Sequence, residues 1–425
     1  MPFSVRGRLA LAAAGIVAAV VGAVVLALVL DRQADPPAVR SDGLSAEGFV
    51  DSIGVNVHFS YGDTAYARQP EVLSRLRELG VGHVRDAMAN PSELLRSGLQ
   101  ASAEQGIRGT LLADPARDPV AAVGDSVSVM GDGIAAFEGP NEYDNSGDPA
   151  WSTTLGGYMP ALAAAVAKLA PDVPVLGPTV IDTSNRAQLP ADLPGLFNAH
   201  PYPGGGPPEP ALSQALQERS VLAPRRGVVF TETGYHNALA ATVSQPPASE
   251  EAAAIYLPRL FATAFGAGVR RTFVYELVDE KPDPGLVDPE QHFGLLRNDL
   301  SPKPAFTAIK TLIAAIRASP GPGAAGPLST KLRVLGDGAV ERLDLKREDG
   351  SRLVALWRPV TVWDVDARVP VDPGQLPVEL NFAGRQARDV TVWRPSVATG
   401  PVQSLARSEK LEVGLEGDLV LVSMR

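Results

Sequence analysis

Eight short, β-rich apolar runs punctuate the chain, each followed by a loop and then by a stretch with helical spacing. The runs begin near Ile53, His83, Gly109, Ile134, Val175, Leu196, Val228 and Thr272, at spacings of 30, 26, 25, 41, 21, 32 and 44 residues. Between them, Glu71 to Leu79 carries Val72, Leu73, Leu76 and Leu79 on one face and stops at Gly80; Ser92 to Gln105 stops in the same way at Gly106. Tyr158 to Leu169 is Ala-rich, Ser249-Glu250-Glu251 puts acids at the positive end of a long helix, and Ser301 to Ile316 closes the series. Strands separated by helices return parallel to one another. Eight such units over about 265 residues have the size and rhythm of a (β/α)8 barrel. The rival is a doubly wound open sheet, which usually begins with a Gly-rich phosphate loop. Here the first run leads into Phe59-Ser60-Tyr61-Gly62-Asp63, which is no such loop, so the barrel is favoured for residues 48–318.

The pattern changes on both sides of the barrel. Leu9 to Leu30 is a run of 22 uncharged residues preceded by Arg6 and Arg8. A helix of that length spans a hydrocarbon core, and basic residues stay on the cytoplasmic side. The reading is residues 1–8 inside, 9–30 as a transmembrane anchor, and 31–47 as a polar tether to a domain outside. A cleaved signal segment is the alternative, but the run is long and lacks an Ala-x-Ala-like site. Beyond the barrel, 319–327 is a Pro/Gly linker, and 328–425 alternates as an all-β domain, read as a sandwich. Its first hairpin turns at Glu348-Asp349-Gly350. Trp357, Trp363 and Trp393 are read as core or interdomain packing in preference to a sugar platform.

Composition narrows the chemistry. The chain has no Cys, so disulfides and thiolate chemistry are excluded. A net charge of −10 without a basic run argues against nucleic acid. Five His with no metal-ligand spacing argue against a dedicated metal site, and no cofactor is expected. In a barrel the catalytic groups stand at the C-terminal ends of the strands. Those ends offer Arg85 and Asp86, Asp114, Glu138 with Asn141 and Glu142, His200 and Tyr202, Glu232, and Tyr275 with Glu276. No lysine and no nucleophile elbow stand there; carboxylates dominate. Two carboxylates in one cleft are what cleavage of a glycosidic bond requires, one to protonate the leaving oxygen and one to attack or to activate water. Glu138, still within its strand, reads as a structural partner of Arg85. Asp279, Glu280, Asp283 and Asp288 read as a solvated loop rather than a calcium site.

The segments FEGPNEYD and FTETGYH, ending the fourth and seventh runs, resemble those of the clan A glycoside hydrolases, which are retaining enzymes on (β/α)8 barrels. The resemblance implies that Glu142 is the acid/base and Glu232 the nucleophile. Asn141 would then bond the sugar 2-hydroxyl, and Arg85, His200 and Tyr202 would be site residues. Tyr235, Tyr275 and His58 complete the expected substrate-binding set. Where many members of the clan carry a Trp on the eighth strand, this chain has Tyr275 and Glu276. The resemblance implies a glycosidase acting on a polysaccharide or oligosaccharide. A carbohydrate-binding barrel without activity and a wall transglycosylase using the same carboxylates remain the alternatives.

Overall fold

The computed structural model describes residues 43–88, 91–319, 329–383 and 386–425. The apolar run 9–30 and the linker 320–327 lie outside the described residues. Among those described, no helix is long and apolar enough to cross a membrane. The tether expected to reach Glu47 ends earlier. Leu44–Ser45 forms β1, and Ser45 caps helix α1 (Ala46–Asp51) by accepting from the Gly48 N–H at 2.9 Å.

All eight expected barrel strands form: β2 (Ile53–Asn56), β3 (His83–Ala87), β4 (Arg108–Leu112), β5 (Ile134–Glu138), β6 (Val175–Leu176), β7 (Phe197–Ala199), β8 (Val228–Thr233) and β9 (Thr272–Val274). They pair in parallel in the order β6-β5-β4-β3-β2-β9-β8-β7, and a Leu176–Leu196 bridge joins the two ends into a ring. The crossovers run through α2 (Gln69–Leu79), α3 (Glu93–Glu104), α4 (Pro119–Met130), α5 (Trp151–Leu169), α6 (Glu209–Leu222) and α7 (Glu250–Gly266), and α8 (Pro304–Arg317) follows the last strand. The β6–β7 crossover carries only a six-residue 3-10 turn, Thr183–Gln188.

Alternation along each strand divides the barrel interior into layers. Ala136, Leu176, Val229 and Phe273 form an apolar cluster inside it. Gly54 has no side chain because the Phe273 ring lies 2.4 Å from where its Cβ would stand. Two residues further on, Asn56, Glu138 and Thr231 form a polar layer that is buried all the same.

The C-terminal strands are β10 (Lys331–Val334), β11 (Glu341–Lys346), β12 (Arg352–Trp357), β13 (Trp363–Asp364), β14 (Val369–Pro370), β15 (Leu376–Asn381), β16 (Ala387–Trp393), β17 (Pro401–Ser408), β18 (Lys410–Leu415) and β19 (Val420–Met424). A six-stranded sheet, β1-β11-β12-β19-β16-β17, faces a three-stranded one, β10-β15-β18. Both faces of the larger sheet are apolar. Val354, Leu356, Val420 and Val422 pack toward the smaller sheet, whereas Leu343, Leu345, Leu353, Ala355 and Leu421 join the core of the barrel helices. Arg347 donates to the Ala315 and Ile316 carbonyls at 2.9 and 2.6 Å, which satisfies the open C-terminus of α8. Trp357 and Trp363 are buried, in keeping with a packing role.

Candidate active site

Glu142 follows β5 by four residues and Glu232 lies in β8. The chain reaches Glu142 through a left-handed turn: its φ is +44°, unusual for a residue with a Cβ. The Glu142 N–H donates to Thr179 Oγ1 at 3.0 Å, and its carbonyl accepts from the Asn145 N–H at 2.9 Å, so both ends of the turn are held. A carboxylate oxygen of Glu142 lies within 4.8 Å of one of Glu232 and of a His200 ring nitrogen. The cleft around them measures about 720 Å³ and is lined by Asn56, His58, Arg85, Asn141, His200, Tyr202 and Tyr275, among others.

Arg85 organises one side of the site. Its Nη1 donates to Glu232 Oε1 at 2.6 Å and to Asn56 Oδ1 at 2.9 Å, while Nη2 reaches Asn141 Oδ1 at 2.7 Å. The same guanidinium holds Glu138 through two bonds, at 2.6 and 2.9 Å. Glu138 is therefore the structural partner its strand position suggests; breaking such a buried pair costs about 3–5 kcal/mol. Burial alone would raise the Glu232 carboxyl. The neighbouring His200 and Arg85 charges, with hydrogen bonds from Tyr202 and Arg85, outweigh it and hold Glu232 below its ordinary value. The Tyr202 hydroxyl donates to Glu232 Oε2 at 2.8 Å.

His200 organises the other side. His200 Nε2 lies 3.0 Å from Thr231 Oγ1, which is itself 2.9 Å from both Glu138 Oε1 and Asn198 Oδ1. The opposite nitrogen, Nδ1, lies 2.8 Å from Glu142 Oε1. His200 thus bridges Thr231 and Glu142, and which ring nitrogen donates is set by its tautomer. Glu232 is poised as an anion beside a cation, and Glu142 is paired with an imidazole instead.

Of the other expected residues, His58 and Tyr275 line the cleft. His58 stacks on Tyr61 at 4.6 Å, and burial drops its imidazole to about 4, so it is neutral. The Tyr275 hydroxyl reaches Glu290 Oε2 at 3.4 Å, and its peptide bond to Glu276 is cis. Tyr235 does not reach the cleft: it is buried, stacks on Tyr256 at 5.5 Å and donates to the Gly206 carbonyl at 3.0 Å. The residue bends away because Gly234, with φ +152°, redirects the chain just after β8.

Sequence reading missed Asn56, Thr231 and Asn198, which tie the charged groups together, and Glu290 and Phe293 on the cleft wall. The signal for the first three was available, since a polar residue inside an apolar strand needs a partner. Among the described residues, two clusters have the spacing to hold a cation, Glu142–His200–Glu232 and His58–Glu276–Glu280. In the first, Arg85 already donates to Glu232. In the second, burial holds the Glu276 carboxyl well above the usual carboxylate range.

A scan of protein-family models finds no match to this chain, and no curated protein matches it. Solved structures do. A family 39 glycoside hydrolase from the gut symbiont Bacteroides cellulosilyticus WH2 superposes with a TM-score of 0.61 at 16% identity, over 92% of this chain and 83% of that one. The fold is that of the family 39 glycoside hydrolases. A GH39 enzyme from Xanthomonas axonopodis pv. citri follows at TM-score 0.58 and 15% identity, covering 91% of this chain and 96% of its own. A monomeric β-xylosidase from Caulobacter crescentus CB15 gives 0.57 at 14%, over 91% and 98%. At 91–92% of this chain, the likeness extends over both the barrel and the C-terminal sheets.

Proposed function

We propose that the protein is a retaining glycoside hydrolase, exported from the cytoplasm, that cleaves a polysaccharide or oligosaccharide by double displacement. The observation that carries the reading is the pair Glu142 and Glu232, with carboxylate oxygens within 4.8 Å of each other and contrasting surroundings. Retaining pairs stand about 5–5.5 Å apart, whereas inverting pairs need about 6.5–9.5 Å to admit water. Glu232, paired with Arg85, attacks the anomeric carbon as its anion. Glu142, as the acid, gives its proton to the leaving oxygen, then takes one from the water that hydrolyses the glycosyl-enzyme. Asn141, held by Arg85, presents its amide beside the nucleophile, where a sugar 2-hydroxyl would lie. The likeness to a fold used by a β-xylosidase supports the class of reaction. It leaves the sugar open.

Two kinds of measurement test the assignment. NMR of the first-formed product should show the anomeric configuration retained. Glu232→Gly should abolish turnover of a natural glycan and regain activity on an activated glycoside when azide or formate is added. Glu142→Ala should spare the first step on substrates whose leaving group needs no proton. Inverted product, or full glycan turnover by either variant, would end the assignment. Sugar rather than water as the acceptor would appear in the same spectra as longer oligosaccharides.

A further inference from the structure

The two-stranded hairpin β13–β14 stands apart from both C-terminal sheets and reaches the loops that wall the candidate site. Trp363 donates its indole N–H to the Pro247 carbonyl at 3.0 Å, from a fully packed position. Arg368, at the hairpin's turn, donates to the Ala241 carbonyl at 2.8 Å and also to that of Leu239. Both sets of acceptors belong to one segment, residues 234–249, which leaves β8 just after Glu232 and contributes Ser244 and Gln245 to the cleft wall.

From that segment the contacts pass to a second wall. Gly205 lies so close to Pro247 that a Cβ on it would stand 2.6 Å from the Pro247 oxygen, and Gln245 Oε1 accepts from the Gly204 N–H at 3.1 Å. Gly204 and Pro203 also line the cleft, directly after Tyr202, whose hydroxyl holds Glu232. Arg368 keeps these bonds with φ +54°, a conformation that disfavours any residue with a side chain. An Arg in that place is explained by what its guanidinium reaches.

We propose that Trp363 and Arg368 are positioning residues, and that the β13–β14 hairpin fixes the loops after β7 and β8 in the shape that binds the substrate beyond the bond being cleaved. The hairpin touches no reacting group, so its effect falls on substrate binding and leaves the chemical step alone. The claim about substrate rests on the glycosidase reading; the claim about loop order does not.

The test uses the full chain with Trp363→Phe, which keeps the ring and removes the donor, and Arg368→Gln, with Arg368→Lys as the conservative control. Amide hydrogen exchange across residues 236–249 should speed up in both variants and recover in part in the Lys control. On aryl glycosides and oligosaccharides, KM for the oligosaccharide should rise about tenfold with kcat nearly unchanged, as expected for the loss of one or two buried hydrogen bonds in a binding element. Unchanged exchange in Arg368→Gln overturns the proposal even if Trp363→Phe fails to fold, because Arg368 is only half-buried at the surface. Faster exchange with KM unmoved, or a fall confined to kcat, also overturns it. A wild-type chain that cleaves no glycoside sinks the glycosidase reading instead, while exchange still decides whether the hairpin orders the loops.

Discussion

At the scale of single residues, the site sorts its carboxyl groups by what surrounds them. Glu232 and Glu138 share one guanidinium, whereas Asp86 on the next residue of β3 has none. Its oxygens accept the Phe59 N–H at 2.9 Å and the Ala87 N–H at 2.7 Å, yet burial still raises it from 3.8 to about 7. The folded chain therefore holds a proton on Asp86 where the unfolded chain has lost it. Stability then falls as pH rises from about 4 to about 7, since the slope follows the protons bound by the unfolded minus the folded state. Asp86→Asn removes that titration. Between about pH 5 and about pH 7.5 the melting temperature of the wild type should drop more than that of the variant. Parallel melting curves would show that Asp86 is ionised in the fold. Arg85 and Glu232 were legible in the sequence as charged residues at strand ends, and Glu138 as a partner of Arg85; that Glu232 shares the same guanidinium was not.

At the scale of elements, the six-stranded sheet is the unit that decides how far the barrel can stand alone. Its alternation puts Leu343, Leu345, Leu353 and Ala355 against the barrel helices, and Arg259, fully buried in α7, donates to the Val360 and Gly417 carbonyls at 2.8 and 3.0 Å. Ending the chain at residue 318 would strand that arginine with Glu209 alone, open the C-terminus of α8 and leave β1 without its partner β11. Each buried leucine re-exposed costs about 1.5–3 kcal/mol, against a total stability of about 5–15 kcal/mol for a domain. Residues 43–318 expressed alone should therefore aggregate or show no cooperative melting by calorimetry. A soluble fragment with a sharp transition would show that the sheet is dispensable. The barrel helices were recognisable from their apolar spacing and Gly stops. The sheet's second apolar face was not, because alternation says which residues share a face and not what covers it.

At the scale of the whole molecule, the proposed location is a claim separate from the proposed substrate and has its own test. The proposed export rests on Arg6 and Arg8 before the uncharged run 9–30, a pattern that favours an outward-facing domain. Protease added to intact cells should release or degrade the domain, while a cytoplasmic control protein survives. Protection until the cells are lysed would count against export. The same experiment, read on the membrane and soluble fractions, separates an anchor from a cleaved segment.

The sequence by itself determined the number, order and direction of the barrel strands, and which residues stand at their ends. These follow from periodicity and from loops too long for hairpins, both local properties of the chain. Glu142 and Glu232 were singled out among the strand-end carboxylates by the resemblance of FEGPNEYD and FTETGYH to the clan A glycoside hydrolases. Only the tertiary structure decided that Leu44–Ser45 pairs with β11, that Tyr235 turns away, and that Glu142 is hydrogen-bonded to His200. Those facts depend on groups far apart in the chain, 58 residues for the Glu142–His200 contact and 147 for Arg85–Glu232. A hydrogen bond is set by distances of a few tenths of an ångström between such groups, and only the closed barrel brings them that near.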